Sequence, residues 1–92
     1  MFEKRIKDLR ISYGLNQVEF GKLLSVTKQS VSNWENGNIQ PSIDMLIKIS
    51  QTFSISADYL LGLSDKRQLD VSGLTDKQIS CLQTLADDLK GK

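Results

Sequence analysis

An all-α fold is predicted by two features that recur along the chain: apolar residues spaced three and four apart, and a Ser, Thr or Asn just ahead of most of these stripes. Glycines close several of them. Phe2, Ile6, Leu9 and Tyr13 form the first stripe, with Glu3, Lys4, Lys7 and Asp8 off it, and Gly14 supplies the stop. Arg10 flanks that stripe, so its charged end can be drawn toward the core. Asn16 is positioned to cap a second helix, with Glu19 three residues on as its capping-box partner. This helix carries Val18, Phe20, Leu23 and Leu24, with Gly21 where another helix can approach closely. Gly inside a helix costs about 1 kcal/mol relative to Ala, which argues for a packing role.

Ser25 and Val26 break the pattern, and Thr27 caps a third helix that carries Val31 and Trp34 and stops at Asn36-Gly37. Asn38–Pro41 reads as loop, since Pro41 bars helical geometry before it. Ser42 caps a fourth helix with a predicted core side of Ile43, Leu46, Ile49 and Phe53, and with Met45 and Ile47 at its flanks. After a break at Ser54–Ser56, Ala57–Leu61 forms a short fifth helix closed by Gly62. Residues 63–74 are polar, mixed in charge and without a stripe, so they are expected to link. Thr75-x-x-Gln78 is a full capping box opening a sixth helix, whose stripe is Ile79, Leu82, Leu85, Ala86 and Leu89. The expected organisation is a five-helix domain over residues 1–62, a linker over 63–74 and an amphipathic helix over 75–92.

Composition narrows the function classes. The chain has 92 residues, enough for one domain with a modest core. It has no histidine and one cysteine, Cys81, which removes the commonest general base, the commonest zinc ligand and any internal disulfide. No ligand-spaced cluster and no glycine-rich phosphate loop occurs. An enzyme is not expected, and neither is a cofactor or a metal. The charged N-terminus lacks a signal-peptide core, no apolar run approaches a membrane span, and a cytoplasmic location is expected. The net charge of +1 gives little long-range attraction to any polyanion.

The informative stretch is Gln17–Asn36. On its second half Lys28, Gln29, Ser32, Asn33 and Asn36 share one side of a helix, opposite Val31 and Trp34. Solvated faces are ordinarily built from Lys and Glu. A face of Gln, Asn and Ser instead offers the donor and acceptor pairs that match base edges in a DNA groove.

This stretch resembles the XRE family of helix-turn-helix proteins, the Cro and λ-repressor-like DNA-binding domains. Phe20, Leu24, Val26, Val31 and Trp34 stand at the apolar positions of that motif. Trp34-Glu35-Asn36-Gly37, Pro41-Ser42, Leu46-x-x-Ile49 and Tyr59-Leu60-Leu61-Gly62 extend the likeness over residues 2–62. There are two departures. Ser25 stands where the family usually has Gly, which is expected to strain the turn slightly, and Gly21 stands where it usually has Ala, which is expected only to weaken a helix.

The resemblance implies roles residue by residue. Lys28, Gln29, Ser32 and Asn33 would face bases, with Gln29 suited to adenine and Lys28 to either guanine or a phosphate. Gln17, Thr27, Asn36 and Asn38 would hold phosphates, partly through backbone N–H groups. Arg10 and Glu35 would form a buried ion pair tying the first helix to the third. The function implied is a transcriptional regulator of bacterial, phage or mobile-element type, a repressor that binds an inverted-repeat operator in double-stranded DNA as a homodimer. The alternative is an antitoxin-type regulator that holds a protein antagonist or toxin through residues 63–92 and also controls its own promoter.

Overall fold

The computed structural model describes residues 1–91. Among these the architecture is all-α, with six helices: α1 (Phe2–Ser12), α2 (Gln17–Leu24), α3 (Lys28–Glu35), α4 (Ile43–Thr52), α5 (Ala57–Leu60) and α6 (Asp76–Leu89). The caps fall where the side-chain chemistry places them. Asn16 Oδ1 accepts the Glu19 N–H at 2.8 Å while Glu19 Oε1 accepts the Asn16 N–H at 2.9 Å. Thr27 and Ser42 each cap through an oxygen that accepts the N–H three residues on. Thr75 and Gln78 close a second reciprocal box at the start of α6.

One core joins α1 to α5 and the segment after α4. Ile6, Phe20, Leu24, Val31, Ile49 and Leu60 are completely buried, and Phe2, Leu9, Trp34, Phe53 and Ile55 nearly so. Phe20 stacks on Phe53 at 4.8 Å between centroids. Tyr13 meets Phe53 edge-on and donates its hydroxyl to the Phe53 carbonyl at 3.0 Å. Tyr13 thus belongs to the first stripe by its ring, although it remains half exposed at the rim.

The expected core side of α4 needs correction. Ile49 and Phe53 are buried and Leu46 packs against the core, but Ile43 is 76% exposed. Ile43 lies one turn before Ile47 on the outward side, and both face solvent. Met45, expected at the flank, packs against the core instead. On α2, Val18 and Leu23 are likewise outside the core. A helix of 8 residues buries only the one row that meets its neighbours, here Phe20, Gly21 and Leu24.

The turn between α2 and α3 explains both departures from the family pattern. Ser25 takes the left-handed conformation, φ 59° and ψ 39°, which a Gly would adopt without strain. The chain then folds back so tightly that the Val26 N–H donates to the Gly21 carbonyl at 2.8 Å. A Cβ at Gly21 would lie 2.7 Å from the Val26 carbonyl oxygen. Gly21 therefore does more than weaken a helix: it gives this turn its room. Gly21→Val is expected to destabilise the domain by about 1–3 kcal/mol, because the branched side chain must push backbone atoms apart. Chemical denaturation checks this, and an unchanged midpoint would show that the turn has slack.

Residues 63–70 run along the body of the domain. Arg5 donates through Nη1 to the carbonyls of Tyr59 and Ser64, the latter at 2.7 Å, and its guanidinium lies 4.2 Å from the centre of the Tyr59 ring. Leu69 forms an antiparallel bridge with Ile55, and the Asp70 N–H donates to the Ser54 carbonyl at 3.0 Å. The segment expected only to link is fastened at both ends of this stretch. α6 follows it, and none of its side chains is buried.

Candidate nucleic-acid interface

The polar side of α3 is held from behind by a charge cluster. Arg10 on α1 reaches Glu35, the last residue of α3, with Nε donating to Oε2 at 2.7 Å and Nη2 to Oε1 at 3.1 Å. Only 12% of the Arg10 side chain and 3% of the Glu35 side chain remain exposed. Arg10 also donates through Nη1 to the Leu15 carbonyl at 2.9 Å, and this satisfies the loop that leads into α2. Donating to the Glu35 carboxylate raises the Arg10 pKa above its ordinary value, while burial works the other way and is outweighed. Gln17 completes the cluster, donating from Nε2 to Glu35 Oε1 at 3.2 Å. One carboxylate thus ties together α1, the first residue of α2 and the end of α3.

This cluster bears on the expected role of Gln17. An amide nitrogen has two hydrogens, and the bond to Glu35 uses one of them. The other remains for an outside acceptor, and the amide is already oriented. Gln17 lines a shallow hollow with Arg10, Asn16, Val18 and Lys28. A hollow with a lysine and a helix N-terminus at its edge suits a phosphate.

On α3 itself, Lys28 and Gln29 are exposed, while Ser32 and Asn33 are half-buried one turn further on. Val31 and Trp34 lie on the opposite, buried side. Gln29 Nε2 donates to Asn33 Oδ1 at 3.1 Å, and Asn36 Nδ2 to Ser32 Oγ at 3.3 Å. These i, i+4 bonds form two parallel rows. The first leaves the Gln29 carbonyl oxygen and the Asn33 amide nitrogen unengaged, one acceptor beside one donor. Such a pair matches the N6 donor and N7 acceptor of an adenine edge, or parts of two neighbouring base pairs.

The backbone departs from expectation at the end of α3. The Asn36 N–H donates to the Ser32 carbonyl and the Asn38 N–H to the Asn33 carbonyl, both at 2.9 Å. Their backbone donors are therefore engaged inside the protein, and only their exposed side chains are left for a phosphate. At the other end, Thr27 Oγ1 accepts the Ser30 N–H at 3.1 Å, leaving Thr27 a cap first and a donor second. The first-turn N–H groups of Lys28 and Gln29 have no carbonyl behind them in the helix, which leaves them open to an outside acceptor. Nothing in the residue pattern signals the clamp made by Arg5, which lies off the stripe of α1 and looks like any surface arginine.

A short helix presenting an amide-rich face, braced by a second helix across a tight turn, is the arrangement of a helix-turn-helix protein. A family model described as Helix-turn-helix matches residues 6–60. The HTH-type transcriptional regulator ImmR of Bacillus subtilis is 33% identical over 86 residues, covering 92% of this chain and 68% of that protein. Antitoxin PezA of Streptococcus pneumoniae is 34% identical over 62 residues, which span 67% of this chain but only 39% of PezA. Among solved structures, the P22 c2 repressor in complex with a synthetic operator is similar with a TM-score of 0.62 and 28% identity, covering 65% of this chain and 91% of that one. The chain belongs to the helix-turn-helix family of XRE-type transcriptional regulators.

Proposed function

We propose that this chain is a repressor that docks α3 in the major groove of an inverted-repeat operator as a homodimer and keeps polymerase from an overlapping promoter. The observation that carries this reading is the face of α3, where side chains of matched donor and acceptor capacity stand outward and are already aligned by their own hydrogen bonds. Gln29 and Asn33 read bases, and Lys28 and Ser32 flank them. Gln17, Thr27, Asn36 and Asn38 fix the register on phosphates through side chains, with the first-turn N–H groups of α3 adding to the grip. The similar solved chain in complex with a synthetic operator supports duplex DNA as the partner. The likeness to an antitoxin spans 62 residues but only 39% of that protein, too little of it to bring a toxin partner to this chain, and DNA binding is the favoured reading.

Selection of bound sequences from random duplex DNA tests the reading, and an inverted repeat is the expected output. Gln29→Ala is expected to cost about 1–3 kcal/mol at one base position and flatten the preference there. A uniform loss over all sequences would make Gln29 a phosphate contact instead. We further propose that residues 1–62 suffice for the DNA-reading unit and that α6 supplies the dimer contact, since its apolar side chains have nowhere to go within one chain. Leu85 is 55% and Leu89 80% exposed.

A further inference from the structure

The stripe of α6 contains a more specific pattern than amphipathicity. Ile79, Leu82, Ala86 and Leu89 are spaced three, four and three apart, which is the seam of a two-stranded coiled coil. The neighbouring seam would put Gln78 into the contact, so the all-apolar row is the one that pairs. The sizes along this row are unequal, because Ala86 is the only small residue in it. Two helices running the same way would set Ala86 against its own copy and leave a gap in the middle of a short contact. Two helices running oppositely set each residue against a different one.

We infer that a second copy of this chain lies antiparallel along α6, with Ile79 against Leu89 of the partner subunit, Leu82 against Ala86 of the partner subunit, and the two-fold axis crossing the seam at the height of residue 84. This rests on the dimer reading of α6 above and adds direction and register to it. In this register small meets large in both central layers. Charge agrees with it. Asp76 and Lys90 lie on the same flank of the seam at opposite ends of the helix, and antiparallel pairing brings each beside the other's copy. Gln83 faces its own copy across the axis on that flank, and two amides there can hydrogen-bond to each other. On the other flank Leu85 meets its copy and widens the apolar contact. Opposed helix dipoles add a further favourable contribution.

Cysteine cross-linking in the full chain tests the register, with Cys81→Ser as background. Gln83→Cys is expected to oxidise to a covalent dimer, because the two positions nearly face each other. Ile79→Cys is expected to do so roughly tenfold more slowly or not at all, because the two copies sit about 15 Å apart along the axis, beyond disulfide reach. Sedimentation of the unmodified chain accompanies it, with a concentration-dependent dimer as the expected result. A dimer that cross-links readily at position 79 and not at 83 overturns the antiparallel register while leaving the dimer reading intact. A monomer up to millimolar concentration overturns both.

Discussion

Glu35→Ala is expected to destabilise the domain by about 3–5 kcal/mol, the usual cost of removing one partner of a buried ion pair. The Arg10 guanidinium would be left with little exposure and no counter-charge, and Gln17 would lose the acceptor that orients it. For a domain of this size that loss lowers the melting temperature by about 12 °C or more, and it is a large share of the roughly 5–15 kcal/mol that holds small domains together. Thermal unfolding of the variant checks this. A loss below about 1 kcal/mol would place the pair among surface ion pairs of little consequence. The double variant Arg10→Met, Glu35→Leu is expected to recover most of the stability, since both charges leave together.

Operator affinity separates the two roles of the cluster. The double variant is expected to fold and still bind DNA more weakly than the native chain, because the Gln17 amide loses the acceptor that orients it. The sign of the pH dependence is fixed by Arg10. Its pKa is raised in the folded state, so its contribution is complete below the ordinary arginine pKa and is lost only as pH rises through the raised value. Stability contributed by this guanidinium should therefore stay level from neutral to strongly alkaline pH.

The second large effect is expected at α6. Leu82→Ser combined with Leu89→Ser should leave the helix-turn-helix domain folded, because no side chain of α6 contributes to its core. Operator affinity should fall by about 10²–10⁴-fold, the gain that linking two binding modules supplies. The slope of binding against protein concentration should change as well, since two independent monomers would replace one dimer. Gel-shift titrations on full and half operators measure this directly. Equal affinity of native and variant chains on the full operator would remove α6 from the dimer contact and leave its apolar side to another partner.

The near-neutral charge makes both effects sharper. With a net charge of +1, the chain draws little affinity from the general pull of phosphates. On the proposed reading its specificity would come from close hydrogen-bond fit and from a partner subunit, so rigidity behind α3 and contact through α6 would each weigh more than they would in a strongly basic domain.

Much of this molecule is legible in its sequence because helices are written locally. Period, caps and stops are set by residues within a few positions of one another, so Asn16, Thr27, Ser42, Thr75, Gly37 and Gly62 mark their boundaries before any tertiary structure is known. The composition of the α3 face is equally local, and it suffices to suggest a groove-reading helix. Tertiary structure decided what depends on distance. Whether Ile43 lies in or out depends on which side of α4 meets the other helices, and α4 alone carries no record of that. Gly21 needs its missing side chain only because Val26 folds back against it. The clamp made by Arg5 joins residues more than fifty positions apart, and Glu35 gathers three helices around one carboxylate. Sequence determined which helix carries the amide-rich face and what chemistry that face offers. Packing determined how firmly it is aimed, because charge burial and backbone approach are properties of neighbours in space.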